Sequence, residues 1–213
     1  MAMPINGFFP GELLPDTTIA GCIDIFENAW PNPKQTIDMA EAAYQDSNGD
    51  ILWYRAPTVN EGTRQNSRTN KVLGITDAAM IHDNPKCQAI HNQFNMLLLA
   101  ATLPYLKKYH IGENIWHEPY DLLRYQKGEE YKPHYDGGTG MGRAISALVY
   151  LNDDYEGGEI EFLNFGVTIK PQPGMMILFP SNYAYRHKAH PVVSGTKYAL
   201  VTWLRDRNLS DQS

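Results

Sequence analysis

The sequence predicts an α+β fold with a mainly β core, a double-sheet jelly roll supported by N-terminal helices. Three observations predict it. Apolar residues recur at helical spacing in the first half; short apolar, β-branched or aromatic runs fill the second; turn signals at hairpin-length intervals separate those runs. About eight strands with antiparallel-length connections, in one continuous block, favour a jelly roll over an alternating α/β sheet. At 213 residues the chain reads as a single domain. Its parts are a helical and loop support region over 1–118, the core over 119–205 and a polar tail over 206–213.

In chain order, 34–46 is predicted helical, with Ile37, Ala40 and Tyr44 on its apolar face after the Pro31/Pro33 stop. The polar, glycine-interrupted stretch 56–70 reads as a solvated loop, or as a substrate-facing lid with Arg64 and Arg68 as its binding candidates. Asn84-Pro85 is an N-cap followed by proline at the first helical position. The helix it opens carries Ile90, Phe94, Leu97, Leu98 and Ala101 on one side, and Pro104 is expected to kink or end it. Strands are predicted at 120–125, 131–135, 144–151, 159–162, 167–170, 175–179 and 197–204, with a short one around His187. The glycine-rich 137–142 connects two strands and lacks the spacing of a phosphate loop. The acidic 152–156 is a solvated turn, since it lacks the ligand spacing of a calcium loop. The tail beyond Trp203 is polar and expected to fray.

A net charge of −6 argues against nucleic acid as the main partner. Cys22 and Cys87 make no disulfide framework, and a reducing, cytoplasmic setting is expected. The first fifteen residues lack the basic and apolar regions of a signal peptide. The longest apolar run, 96–103, is too short to cross a bilayer, so no membrane partner is expected.

The chemistry concentrates on His134 and Asp136, which a strand would project to one side while Tyr135 points away. A later histidine from a strand folded back beside the first would complete a 2-His-1-carboxylate set. His187 and His190 are both available. Such a set holds one face of an octahedron and is the facial triad of non-haem Fe(II) oxygenases.

The surrounding sequence is more specific than the triad. YDLLRYQKGEEYKPHYDGG, RAISALVYLNDDYEGGEIEF and PGMMILFPSNYAYRHKAHPVVSGTKYALVTWL together resemble the Fe(II)/2-oxoglutarate dioxygenases of the prolyl 4-hydroxylase family. The resemblance implies a double-stranded β-helix and selects His187, four residues before Pro191, as the second histidine ligand with His134 and Asp136. It implies that Lys197 pairs with the far carboxylate of 2-oxoglutarate and that Tyr125 donates a hydrogen bond to it. Alternation puts Lys197 on the side of Ala199, Val201 and Trp203, where a lysine needs a buried anion. Arg143 matches an arginine at the substrate mouth and is taken as catalytic; Tyr131, Trp203 and Arg64 are further substrate candidates. Arg205 and Ile160 depart from residues of several relatives, a histidine and a threonine respectively.

The implied cofactors are Fe(II), 2-oxoglutarate as cosubstrate, O2 and ascorbate. The implied reaction hydroxylates a C–H bond, with peptidyl proline as substrate and succinate and CO2 released. The competing readings are the same chemistry on a free amino acid or small metabolite, a nucleic-acid demethylase, and a metal-free jelly-roll binding module.

Overall fold

The computed structural model describes residues 14–206 apart from 56–57, 61–62, 66, 113 and 139–141; at 58–60 and 63–65 the backbone alone is described. The chain begins with β1 (Thr17–Thr18), β2 (Asp24–Phe26), α1 (Pro33–Asp46), β3 (Thr58–Asn60), β4 (Thr63–Gln65), β5 (Lys71–Gly74), α2 (Ile75–Met80) and α3 (Pro85–Lys108). It continues through β6 (Ile115–His117), β7 (Asp121–Tyr125), β8 (Tyr131–His134), β9 (Arg143–Tyr150), β10 (Glu156–Gly157) and β11 (Ile160–Phe162). The last strands are β12 (Val167–Ile169), β13 (Met176–Pro180), β14 (His187–Ala189), β15 (Val192–Ser194) and β16 (Lys197–Asp206).

Two antiparallel sheets form the jelly roll. The larger runs β1-β2-β13-β9-β16-β7-β5, with β6 also paired to β16, and the smaller runs β12-β11-β14-β8. The sheets face each other, as the edge-to-face contact of Phe162 with Phe179 at 4.9 Å shows. β10 pairs with β15, and β3 with β4, as separate ribbons.

Period-two alternation gives the larger sheet two different jobs. Ile145, Ala147 and Val149 of β9, Met176 and Leu178 of β13, and Leu200 and Leu204 of β16 share one apolar core with Ala40 of α1, Ala78 of α2 and Phe94 of α3. The alternate residues of the same strands, among them Leu148, Tyr150, Lys197, Ala199, Val201 and Trp203, line a cavity between the sheets. The helices therefore buttress one face so that the other can be shaped for a ligand.

Several expectations need correcting. The α3 cap is as expected, Asn84 Oδ1 accepting from the Lys86 and Cys87 amides at 3.1 Å each. Of the two outcomes expected at Pro104, an end is not seen: the helix runs on to Lys108, and Tyr105 and Leu106 continue its buried apolar face. α1 turns its Thr36, Ala40 and Ala43 inward, while Tyr44 is exposed. Thr36 Oγ1 accepts from the buried Trp30 indole at 2.8 Å, which fixes that face. The 56–70 segment contains the β3–β4 hairpin. The support region also donates β1, β2, β5 and β6 to the larger sheet. Leu204–Asp206 are paired with β6, so the strand outlasts the expected start of the tail. No helix among the described residues is long and apolar enough to cross a membrane.

Candidate metal centre

His134 ends β8 and His187 begins β14, and the two are direct Cα partners in the antiparallel pair. This register brings the imidazoles together, ring centroids 4.3 Å apart and planes tilted by 58°. Asp136 lies just beyond the end of β8 and keeps the strand's alternation: it and His134 are buried while Tyr135 is 44% exposed. The three side chains each offer a ligand atom within 4.8 Å of the others. His134 Nε2 is 3.5 Å from Asp136 Oδ1, and His187 Nε2 is 3.7 Å from Asp136 Oδ2.

The outer contacts orient these ligands. His134 Nδ1 lies 2.8 Å from the Lys132 carbonyl, and His187 Nδ1 lies 3.0 Å from the Tyr185 carbonyl. A carbonyl only accepts, so each Nδ1 carries the proton and each Nε2 presents its lone pair to the shared centre. Ser146 Oγ donates to Asp136 Oδ2 at 2.6 Å and in turn meets Ser181 Oγ at 2.8 Å. The Gly137 amide donates to the Ser181 carbonyl at 2.7 Å, an approach that leaves a side chain at 137 only 3.1 Å from two carbonyl oxygens. Burial opposes ionisation of Asp136, yet His187, His134 and Ser146 hold its carboxyl well below the usual carboxylate range. Burial, and then His134, lowers His187 to about 4, so it is a neutral ligand at pH 7. Two imidazoles and one carboxylate on one side of an open space fit Fe(II) and leave the opposite coordination positions to other ligands.

That space is the inter-sheet cavity, and Lys197 lines it with the triad. Lys197 opens β16 directly opposite Tyr125 of β7. It is 2% exposed, and its Nζ donates to the Gly158 carbonyl at 2.6 Å. Burial lowers Lys197 to about 7, with Glu159 acting weakly in the other direction. Both glycines of the preceding turn are needed here. Gly157 and Gly158 have φ of +74° and +69°. A Cβ on Gly157 would collide with the Pro191 carbonyl, and one on Gly158 would sit 3.1 Å from the Lys197 chain. Tyr125 also lines the cavity, and burial pushes its phenol up to about 12, which keeps it a hydrogen-bond donor.

The other sequence candidates fall around this cavity. Tyr131 stacks on His134, centroids 3.5 Å apart and planes 13° from parallel. Trp203 lines the cavity, with its buried Nε1 lacking an acceptor among the described residues. Arg68 lines it as well. Arg143 does not: its guanidinium grips Glu118 through two hydrogen bonds of 2.9 and 2.7 Å and lies 3.7 Å over the Trp203 ring. Its remaining nitrogen donates to the Asp136 carbonyl at 3.3 Å. Arg143 thus braces the triad loop and Trp203. The Arg64 side chain lies outside the described residues. His190 turns to Glu161 at 2.8 Å, away from the triad. Ile160 is part of the cavity wall, and Arg205 sits over Trp116. Ser146 and Glu118 were not singled out from sequence. A serine on the inward side of an otherwise apolar strand was the available signal for the first.

Comparison with known proteins agrees with this geometry. Residues 120–205 match the 2OG-Fe(II) oxygenase superfamily. A probable prolyl 4-hydroxylase 9 of Arabidopsis thaliana is 31% identical over 120 residues, covering 43% of this chain and 42% of that protein. Prolyl 4-hydroxylase subunit alpha-1 of Gallus gallus is 32% identical over 108 residues, covering 42% of this chain and 21% of that protein. The chain thus spans less than half the length of these curated relatives. A prolyl hydroxylase of Trichoplax adhaerens, solved with a hypoxia inducible factor peptide fragment, shares the fold with a TM-score of 0.71 at 20% identity. That alignment covers 91% of this chain and 88% of the other. The match over residues 120–205, the buried triad and the shared fold agree, and over this segment the chain is similar to the 2OG-Fe(II) oxygenases, prolyl 4-hydroxylases among them.

Proposed function

We propose that the chain is an Fe(II)- and 2-oxoglutarate-dependent dioxygenase that hydroxylates a C–H bond of peptidyl proline. In the overall reaction one atom of O2 enters the substrate hydroxyl and the other enters succinate as CO2 is lost. The observation that carries the reading is the presence of the His134/Asp136/His187 set and Lys197 on the walls of one cavity. Bound Fe(II) would supply the redox chemistry by which O2 oxidises an unactivated C–H bond.

The chain's own residues bind, orient and exclude water. His134, Asp136 and His187 hold the ion from one side, and their backbone and Ser146 contacts fix the direction of each donor atom. Lys197 pairs with the far carboxylate of 2-oxoglutarate, and Tyr125 donates to the same carboxylate. Leu148, Ile160, Ala199 and Val201 form apolar walls that keep water from the reacting atoms. Trp203 offers a flat face for a prolyl ring, with Arg143 as a positioning residue behind it, and Tyr131, stacked on His134, lines the cavity beside the triad. The prolyl substrate draws its support from the relatives' names and from the peptide bound to the Trichoplax adhaerens protein.

The test is to incubate the protein with Fe(II), 2-oxoglutarate, O2 and ascorbate as reductant, with and without proline-rich peptides. Succinate release and a mass gain of one oxygen (about 16 Da) on the peptide are expected. No succinate under any condition would sink the oxygenase reading. Succinate with no oxygen on any peptide would move the substrate to a small molecule.

A further inference from the structure

The cavity holds a second buried cation that the reaction as described leaves unused. Arg68 is 8% exposed and lines the cavity with the triad and Lys197. It is held in place on three sides. Its Nε donates to Asn70 Oδ1 at 2.7 Å, and Asn70 is itself fully buried and anchored on the Lys71 carbonyl. Its guanidinium lies 5.2 Å from the centre of the Tyr131 ring, which in turn stacks on His134. Its backbone bridges to Tyr131. Among the described residues no carboxylate comes within ion-pair distance of it, and Asn70 is the acceptor its guanidinium meets. Asp121, which does not line the cavity, is an acidic group whose field reaches it; burial raises that carboxyl to about 6, so it is largely ionised at pH 7 and acts on Arg68 from beyond ion-pair distance.

Charge and hydrogen-bond chemistry then constrain what enters. Fe(II) and Lys197 would bring positive charge that Asp136 and a 2-oxoglutarate dianion match, while Arg68 has Asp121 only at a distance and no carboxylate of the described residues in direct contact. A preorganised guanidinium is suited to a carboxylate. The Trp203 indole is a further buried donor on the same wall without an acceptor among the described residues. We propose that Arg68 is a specificity-determining residue, and that the substrate bears a carboxylate, held by Arg68, beside the hydroxylated C–H bond. For a prolyl substrate that carboxylate is either the α-carboxylate of a free or C-terminal proline or the side chain of an acidic neighbour. This rests on the oxygenase reading above.

Binding without turnover tests it. Under anaerobic conditions the protein is loaded with Fe(II) and 2-oxoglutarate, and calorimetry follows two matched probe pairs. Acetyl-alanyl-proline against its amide reports a terminal carboxylate; acetyl-prolyl-glutamate amide against its glutamine analogue reports a side-chain carboxylate. In one pair the carboxylate member should bind about 10- to 100-fold tighter, the range of a charge-assisted hydrogen bond. That advantage should vanish in Arg68→Gln and return in part in Arg68→Lys. Equal binding in both pairs would overturn the proposal. So would an advantage that survives Arg68→Gln, or a loss of 2-oxoglutarate affinity in that variant in place of the probe's. Failure of the wild-type protein to take up Fe(II) and 2-oxoglutarate at the loading step would instead sink the oxygenase reading.

Discussion

The two ends of the cavity are built on opposite plans. At the triad end each polar group already has a protein partner. The imidazoles are anchored on the Lys132 and Tyr185 carbonyls, and Asp136 on Ser146. At the other end Lys197 has one neutral carbonyl, Gly158, and two tyrosine rings about 5 Å from its ammonium. Among the described residues Arg68 meets only the Asn70 amide oxygen, and the Trp203 indole meets no acceptor. A saturated arrangement fixes direction and suits an ion that must be held in one geometry. An arrangement short of acceptors stores a demand that only an incoming anion meets. The first end is a template and the second a receptor.

The largest break in this contrast comes from the template. His134→Ala or His187→Ala removes a ligand atom and should abolish both Fe(II) uptake and succinate formation; unchanged Fe(II) binding by titration would refute the assignment. At the receptor end Lys197→Met should weaken 2-oxoglutarate binding by roughly a hundredfold, the scale of a lost buried charge pair. The same change should make the ligand-free protein more stable, by about 1 kcal/mol or more, because a buried ammonium with no counter-ion is removed. A lower melting temperature for Lys197→Met would show that the lysine is satisfied without a ligand. Ser146→Ala leaves all three ligand side chains in place and should lower Fe(II) affinity by about tenfold. No change in that titration would mean that Asp136 is oriented by other contacts.

The smallest effect is one of pH. Lys197 titrates near 7 in the ligand-free fold, so the ammonium is present below that pH and lost above it. Affinity for 2-oxoglutarate should therefore be flat below pH 6 and fall by several-fold to roughly tenfold by pH 8. The stability linkage runs the other way. An unfolded lysine holds its proton up to about 10.4, so between 7 and that value the unfolded chain binds more protons and the ligand-free fold gains stability as pH rises. Denaturant melts at pH 7 and 9 with and without 2-oxoglutarate would separate the two signs.

Parts of both ends were legible in the sequence because period-two alternation reports them directly. It placed His134 with Asp136, and Lys197 with Ala199, Val201 and Trp203, on the faces where the structure has them. Choosing His187 over His190 came from the family resemblance, and the structure pairs His187 with His134 and His190 with Glu161. The N-terminal strands were not legible. Thr17–Thr18 is two residues long, and Asp24–Phe26 is buried on both faces, so neither shows a period. The true inner face of α1 was hidden because it is made of Thr36 and alanines, which carry little hydropathy. Arg143 was expected at the substrate mouth, and its grip on Glu118 depends on a long-range pairing of β9 and β16 that no local pattern encodes.

The register that sets His187 opposite His134 also bears on how the chain stays folded. A divalent ion held between them would tie two short strands whose sequence separation is about fifty residues, closing a loop of that length as a disulfide would. Because the ligand atoms converge only when β14 has found its register on β8, the ion would bind the folded chain alone. At a hundred times its dissociation constant it would add about 2.7 kcal/mol of stability. Chelation should therefore loosen the smaller sheet, while the helix-backed sheet, with its own apolar core, keeps its protection against hydrogen exchange.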